Sequence, residues 1–254
     1  MTDTPPASNA CAVVVGAGSR QGIGGALCAR FAAGGLHLYA VGRSADKVEA
    51  TVKAIQAGGR GATAVVADVT RPQDVAALFQ RIAADGRMPE LVVFNASEPN
   101  VPTRFLSMTP EFVERMWRVC CFGGFLVGQE AIRRMLPQRR GTLIFTGASA
   151  SLRGKPLFGA FAAAKAGLRA HAQAMARQFG PKGIHVAHVV VDGVVAGDRA
   201  GRFGYGVGKA YLLSKGEDGA LQPDAIAESY WQLHRQHRSA WTHELDLRPA
   251  RENF

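Results

Sequence analysis

Hydrophobic and amphipathic segments alternate through most of the chain. Short runs rich in Val, Ile and Leu predict strands at Ala12–Val15, Leu36–Val41, Ala62–Ala67, Leu91–Asn95, Thr142–Thr146 and Ile184–Val191. Helical spacing fills the intervals near Gly22–Ala33, Ala45–Gln56, Pro72–Ala84, Pro110–Leu136 and Leu157–Phe179, and another helix starts at Pro223 before an extended piece at His243–Leu247. The strands show little polar alternation, as expected when both faces are covered. The pattern predicts an α/β fold with a doubly wound parallel sheet and helices on both faces.

The length of 254 residues fits a single domain of this kind. Met1–Ala10 is polar and contains prolines, so residues 1–10 are predicted to be a flexible tail and residues 11–254 the domain. Between about Val194 and Gln222 the periodicity gives way to glycine, aromatic and basic residues. A long irregular stretch inside a compact domain is usually either a lid or a disordered excursion, and we expect a mobile substrate loop here. Its candidate side chains include Arg199, Arg202, Phe203, Tyr205 and Tyr211.

Composition narrows the class of protein. Hydrophobic residues make up 47% of the chain, yet no apolar stretch is long enough for a membrane span, and the start lacks the basic and apolar regions of a signal peptide. The four cysteines, Cys11, Cys28, Cys120 and Cys121, have no metal-ligand spacing, so we expect buried thiols, no metal site and a cytoplasmic location. The net charge of +10 comes from scattered doublets such as Arg133-Arg134, which favours a solvated surface over nucleic-acid binding.

A glycine-rich turn follows the first predicted strand directly. The strand Val13-Val14-Val15 runs into Gly16-Ala17-Gly18-Ser19-Arg20-Gln21-Gly22-Ile23-Gly24, and a helix begins there. Glycines allow backbone angles closed to other residues and let a phosphate approach the main chain at a helix N-terminus. A tight turn without a ligand would have the same pattern. The nucleotide-binding candidates in this turn are Gly16, Gly18, Ser19, Arg20, Gly22, Ile23 and Gly24.

Five segments in order resemble the short-chain dehydrogenase/reductase family. They are the glycine turn, Ala67-Asp68-Val69, Phe94-Asn95-Ala96-Ser97, Phe145-Thr146-Gly147-Ala148-Ser149-Ala150-Ser151 and Phe161-Ala162-Ala163-Ala164-Lys165. The resemblance extends from Cys11 to about Leu247 and implies a Rossmann-type domain, a nicotinamide cofactor, a small-molecule substrate and a homodimer or homotetramer. It places Asp68, Val69, Asn95 and Ala96 beside the cofactor. Asp68 could equally cap a helix or stand in a solvated turn.

The end of the second strand bears on the choice of cofactor. NAD-dependent enzymes usually place a carboxylate there for the ribose hydroxyls, whereas a 2′-phosphate requires cations. Here the strand ends in Ala40-Val41-Gly42-Arg43, without an acid. Arg43 and Arg20 could hold a phosphate in the forked geometry of a guanidinium group. We therefore expect NADP(H) to be preferred over NAD(H).

The catalytic segment departs from the family pattern. The family uses a Tyr four residues before a Lys, a Ser thirteen residues before that Tyr, and an Asn on the preceding long helix. Lys165 is retained, whereas the Tyr position is Phe161, the Ser position by count is Ala148 and the Asn position is Cys120. We favour a role for Lys165 in holding the nicotinamide ribose. A small register shift would bring Ser149 into the Ser position, although a turn-forming role for Ser149 and Ser151 is favoured.

Several other groups could replace the missing proton donor. Tyr205, Tyr211, His188 and Asp192 are candidates, although His188 is favoured as a buried strand residue. Three functional hypotheses remain. The chain is an NADP(H)-dependent oxidoreductase with altered catalytic groups, acting on activated C=C or carbonyl compounds; a non-catalytic nucleotide-binding relative that serves as a sensor or partner subunit; or a nucleic-acid-binding protein. The retained cofactor segments favour the first two over the third.

Overall fold

The computed structural model describes residues 9–197, 214, 216 and 218–251. The strands are β1 (Ala10–Val15), β2 (His37–Gly42), β3 (Ala62–Val66), β4 (Met88–Phe94), β5 (Gly141–Thr146), β6 (Ile184–Val191) and β7 (Glu244–Leu247). The α-helices are α1 (Ile23–Ala33), α2 (Ala45–Ala57), α3 (Pro72–Ala84), α4 (Pro110–Trp117), α5 (Gly123–Met135), α6 (Gly159–Phe179) and α7 (Pro223–His234). Strands and helices alternate as the hydrophobic pattern predicts.

The seven strands form one parallel sheet in the order β3-β2-β1-β4-β5-β6-β7. Alternate residues of β1 serve opposite faces. Val13 and Val15 pack with α3, α5 and α6, whereas Val14 packs with α1, α2 and α7. Because both faces are covered, the strands need apolar residues at successive positions. The predicted Rossmann-type doubly wound sheet is confirmed, and its strand order reverses between β1 and β4, where ligands bind in such folds.

The element boundaries differ from the predicted ones at a few places. β1 begins at Ala10, so the predicted flexible tail, residues 1–10, includes the first residue of a strand. β4 begins at Met88, earlier than the predicted Leu91. The helix predicted as Pro110–Leu136 is interrupted by a π-helical turn at Arg118–Phe122. The helix predicted from Leu157 begins at Gly159, because Leu157 has a left-handed backbone angle (φ 71°) that an α-helix cannot include.

Two predicted segments lie largely outside the described residues. They are the tail up to residue 8 and most of the proposed substrate segment, whose residues 198–213, 215 and 217 are not described. The candidates Arg199, Arg202, Phe203, Tyr205 and Tyr211 are among these. In the part of the chain that is described, no helix is both long enough and apolar enough to cross a membrane.

Candidate active site

Two adjoining cavities lie at the carboxyl edge of the sheet. The β2-side cavity, of about 180 Å³, is lined by Gly16, Gly18, Gly42, Arg43, Ser44, Lys47, Val48, Ala67, Val69, Asn95, Ala96, Ser97 and Val119. The β5-side cavity, of about 240 Å³, is lined by Gly16, Ala17, Gly18, Ser19, Gly22, Ile23, Gly24, Asn95, Ser97, Thr146, Gly147, Ala148, Phe161, Lys165, Val191, Val195 and Gly197. Four residues line both cavities, so the cavities adjoin across the ends of β1 and β4, and together they are called the groove below.

The glycine turn forms the floor of this groove, and its backbone packs closely against neighbouring backbone atoms. Gly16 has a φ of 91°, and a Cβ there would lie 2.5 Å from the backbone nitrogen of Ala96. A Cβ on Gly24 would lie 2.3 Å from the carbonyl oxygen of Gly16. The Asn95 side chain donates a 2.9 Å hydrogen bond to that same oxygen, which ties β1 to β4. Glycine is therefore required at positions 16 and 24, and Asn95 holds the turn in place.

Most candidates in the turn border the β5-side cavity. Ser19, Gly22 and Ile23 line it, and Gly22 is the N-cap of α1 without contributing a side-chain cap. The first N–H groups of a helix are not paired within the helix and favour an anion at this end. Arg20 behaves differently, since it is exposed and is absent from the lining of both cavities. A role for Arg20 at a bound phosphate therefore stays a prediction.

The β2-side cavity has a basic wall. Arg43 follows β2, Ser44 is the N-cap of α2, and Lys47 lies in the first turn of that helix. Arg43 contacts Glu98, with 3.2 Å between a guanidinium nitrogen and a carboxylate oxygen. Ser44 and Lys47 were not among the sequence candidates. Their position within one helical turn of Arg43 was the available signal, because the start of a helix after β2 lies at the same edge of the sheet as Arg43.

Asp68 and Val69 separate into different roles. Val69 is buried and lines the β2-side cavity together with Asn95 and Ala96, in agreement with the sequence prediction. Asp68 is absent from that lining. One of its carboxylate oxygens accepts hydrogen bonds from the Thr70 backbone (2.9 Å) and hydroxyl (2.8 Å). The structure thus supports the turn-forming interpretation of Asp68, which the sequence left open beside a role at the cofactor.

Lys165, Phe161 and Ala148 meet in the β5-side cavity. Lys165 is only 2% exposed, and its ammonium donates a 2.8 Å hydrogen bond to the carbonyl oxygen of Thr146 at the end of β5. The same nitrogen lies 5.7 Å from the centre of the Phe161 ring. The Thr146 hydroxyl accepts a hydrogen bond from Tyr230 on α7. The end of β5 is therefore anchored from both faces of the sheet, with a buried cation at the cavity wall.

Comparisons with known proteins agree with this geometry. The sequence model described as short chain dehydrogenase matches residues 10–202. The chain belongs to the short-chain dehydrogenase/reductase family. It is 36% identical to a short-chain dehydrogenase from Rhodopseudomonas palustris, with a TM-score of 0.80 over 96% of this chain and all of that one. A short-chain dehydrogenase/reductase of Armillaria gallica is 32% identical over 73% of this chain and 71% of its own.

A more distant structure shows the same fold. An actinorhodin polyketide ketoreductase solved with NADPH has a TM-score of 0.86 at 20% identity, over 97% of this chain and 98% of that one. At this identity the likeness concerns the fold alone. Membership in the family therefore establishes the oxidoreductase fold and its nicotinamide-binding architecture, and the residues of this chain must carry any finer statement about chemistry.

The serine residues after β5 lie beside the family site without lining it. Ala148 lines the cavity, whereas Ser149 begins the 3-10 turn Ser149–Ser151 and is absent from the lining. The buried Ser151 hydroxyl accepts a 3.2 Å hydrogen bond from the Ala148 backbone. This arrangement agrees with the favoured turn-forming role of both serines. It gives no support to the register shift that would bring Ser149 into the serine position.

Two other proposed proton donors are engaged elsewhere. His188 is fully buried, and its Nδ1 lies 3.1 Å from the Glu244 carboxylate, which also binds Arg169. Burial lowers the pKa of His188 to about 4 despite the nearby carboxylate. Asp192 is 4% exposed and accepts from Arg153 at 2.8 Å. Neither His188 nor Asp192 lines the cavity.

Cys120, at the position predicted for the family's Asn, is surrounded by other side chains. Cys120 is fully buried in the π-helical turn, with its sulfur 3.5 Å from the Ser97 hydroxyl and 3.8 Å from the Met116 sulfur. Ser97 lines both cavities, although the sequence candidates did not include it. Its position directly after Asn95-Ala96 was the available signal.

Proposed function

We propose that the protein is an NADP(H)-dependent oxidoreductase with a non-standard catalytic site, acting on small activated C=C or carbonyl compounds. The observation that carries the proposal is the groove of two adjoining cavities, with the cations Arg43 and Lys47 at one end and the buried ammonium of Lys165 at the other. A dinucleotide has the matching character, since it joins a phosphorylated ribose to a redox-active ring through a pyrophosphate. The groove lies where family members bind such cofactors.

The residues that line the groove fit a dinucleotide cofactor. The glycine turn leaves space that a side chain would fill, and the N-terminus of α1 opens on the same cavity. The pyrophosphate would lie against Gly16–Gly24, and the adenosine half would reach the β2-side cavity. At that end, Arg43 and Lys47 supply cations, and the N-terminus of the 13-residue helix α2 adds a favourable dipole. These features support the 2′-phosphorylated form of the cofactor.

In the β5-side cavity, the chain offers the nicotinamide half of the cofactor a cation and few groups that could donate a proton. When bound, the nicotinamide ring would supply or accept a hydride. Among the described lining residues, the side chains with exchangeable protons are Ser19, Asn95, Ser97, Thr146 and Lys165. Phe161 has no proton to give. The Lys165 ammonium would hold the ribose and, in a site with little water, favour negative charge developing on a substrate oxygen.

A non-catalytic role as a nucleotide-binding sensor or partner subunit is the second candidate. The contact between Phe161 and Lys165 favours it, because the ring occupies the position where the family carries its acid. Both candidates require the cofactor, and they differ in turnover. A chain that binds NADPH yet leaves a panel of enones and ketones unchanged would favour the sensor, whereas oxidation of NADPH with any of them would favour the enzyme.

Calorimetry with NADPH and NADH tests cofactor binding, which both candidate functions require. We expect NADPH to bind at least several-fold more tightly than NADH. We expect Arg43→Glu to weaken NADPH binding by about tenfold or more, because the change removes a charge-assisted contact and adds repulsion. Arg60→Glu makes the same charge change at an exposed position outside both cavities, and should leave the preference intact. The preference should shrink with salt, since Arg43 is 57% exposed. Equal wild-type affinities would contradict the assignment of NADP(H).

A further inference from the structure

We propose that Glu98 competes with the 2′-phosphate for Arg43 and thereby limits how strongly the groove prefers NADP(H) over NAD(H). This inference rests on the proposed function. It concerns an acid that the sequence around β2 does not reveal, because Glu98 lies 55 residues after Arg43 and follows a different strand. No carboxylate stands at the end of β2 itself, where an acid that recognises NAD is usually found.

The contact joins a lining residue of the β2-side cavity, Arg43, to an acid at the border of that cavity, directly after the lining residue Ser97. Arg43 follows β2, Glu98 follows β4, and β1 lies between those two strands in the sheet. The guanidinium and the carboxylate therefore meet above the end of β1, where the glycine turn begins. Their separation of 3.2 Å is at the long end of the hydrogen-bond range, so the pair is in contact and open to exchange. The side chain of Glu98 is only 14% exposed, whereas that of Arg43 is 57% exposed, so the acid is the better-fixed partner.

The surrounding contacts hold Glu98 in this position. The hydroxyl of Ser97 donates a 3.1 Å hydrogen bond to the backbone oxygen of Glu98, and Asn95 ties the start of the same segment to Gly16. Arg43 lies between the end of β2 and the N-cap of α2, and its guanidinium extends into solvent further than the Glu98 carboxylate does. We infer that Arg43 exchanges partners while Glu98 stays in place.

Exchange has an energetic consequence that differs between the two cofactors. A phosphate bound by Arg43 must displace the carboxylate and then stand near its negative charge. Glu98, which is mostly buried, would lose its partner at the same time. NADH carries no phosphate at this position and leaves the ion pair intact. Glu98 therefore weakens NADPH binding selectively, while Arg43 and Lys47 strengthen it.

A different role for Glu98 makes the opposite prediction. A carboxylate at this place could accept hydrogen bonds from the two hydroxyls of an unphosphorylated ribose. In that case Glu98 would strengthen NADH binding, and its neutral amide would weaken it. The ion pair with Arg43 argues for competition instead, because the carboxylate already has a cationic partner in the groove.

Calorimetric titration of Glu98→Gln with NADPH and with NADH distinguishes these outcomes. We expect the Kd of NADPH to fall about threefold to tenfold, because Glu98→Gln removes a partly exposed ion pair that competes with the phosphate. The Kd of NADH should change less than twofold. Glu49→Gln is the matched control, because Glu49 is an exposed acid on α2 outside both cavities. It should change neither Kd by more than twofold. A thermal melt of each variant checks that it remains folded.

The double variant Arg43→Gln with Glu98→Gln tests the exchange itself. If Glu98 acts through Arg43, the gain in NADPH affinity caused by Glu98→Gln disappears once Arg43 is neutral. An equal gain with Arg43 present or neutral would overturn the proposal, as would unchanged NADPH affinity in the single variant or weaker NADH binding. Wild-type protein that binds neither cofactor would refute the proposed function itself, so the two failures are distinguishable.

Discussion

Restoring a hydroxyl beside Lys165 should create or raise carbonyl reduction. The perturbation is Phe161→Tyr combined with Ala148→Ser, since both positions line the β5-side cavity. Phe161 is 9% exposed and its ring already lies beside the Lys165 ammonium, so a phenol at this position would have a cation nearby to favour its ionised form. A serine hydroxyl at position 148 would face the same cavity and could polarise a substrate carbonyl.

The expected gain follows from the chemistry that the two hydroxyls add. A positioned general acid contributes about 10²–10⁴-fold, or about 3–5 kcal/mol of the activation barrier, and an additional hydrogen-bond donor to the developing oxyanion contributes a further factor of up to similar size. Imperfect placement reduces both. We expect at least about a tenfold rise in kcat/KM on simple ketones for the double variant, and a smaller one for Phe161→Tyr alone.

The assay follows NADPH oxidation with a panel of ketones. Phe179→Tyr is the matched control, because it adds the same hydroxyl at the far end of α6 outside both cavities. Adding Lys165→Met to the double variant should remove the gain. A double variant that binds NADPH as tightly as the wild type yet stays inactive would refute the placement of the proton donor and favour the non-catalytic role. Efficient ketone turnover by the wild type would show that the acid lies elsewhere.

Two further predictions concern stability and assembly. The pKa of His188 is lowered by burial from 6.5 to about 4, so the unfolded chain binds the extra proton first as the pH falls, and folding should lose up to about 3 kcal/mol between pH 6.5 and pH 4. Urea unfolding across this range should show a shallower pH dependence for His188→Gln, and an unchanged slope would contradict the assignment. The helices α4 and α6 border exposed apolar side chains, including Val113 (39%) and Trp117 (44%), so we expect a homodimer or homotetramer. Light scattering at micromolar concentration should give a multiple of the 27.0 kDa chain mass, and Val113→Glu with Trp117→Glu should give a monomer; a monomeric wild type would contradict the prediction.

The fold could be predicted almost completely from the sequence because its signals are local. Buried parallel strands require apolar residues at successive positions, and the intervening helices show their own spacing, so element type and order follow from short windows. Boundaries were less accurate where backbone conformation departs from the regular pattern. The π-helical turn at Arg118–Phe122 and the left-handed Leu157 each shift an element boundary without changing the hydrophobic pattern.

The candidate site was predictable where each of its residues lies in a short motif of its own. The glycine turn, Asn95 and Lys165 lie in recognisable motifs, and the structure brings them to one groove. The contact between Arg43 and Glu98 depends on which strands are neighbours, and no local pattern records it. Whether Arg20 contacts a bound phosphate depends on the direction in which this exposed turn residue projects, which the whole turn determines, so its role stays a prediction.

The two ends of the groove place different geometric demands on the residues that line them. At the β2 end, binding of a phosphate requires only that cations lie near its charge, and Arg43, Lys47 and the start of α2 meet that requirement without demanding geometry. At the β5 end, proton transfer requires a specific atom within hydrogen-bond distance of the reacting oxygen. Phe161 and Ala148 provide no such atom, and Lys165 provides charge from a buried position. Cofactor binding therefore follows from features that tolerate variation, whereas the reaction depends on which protic group reaches the substrate beside Lys165.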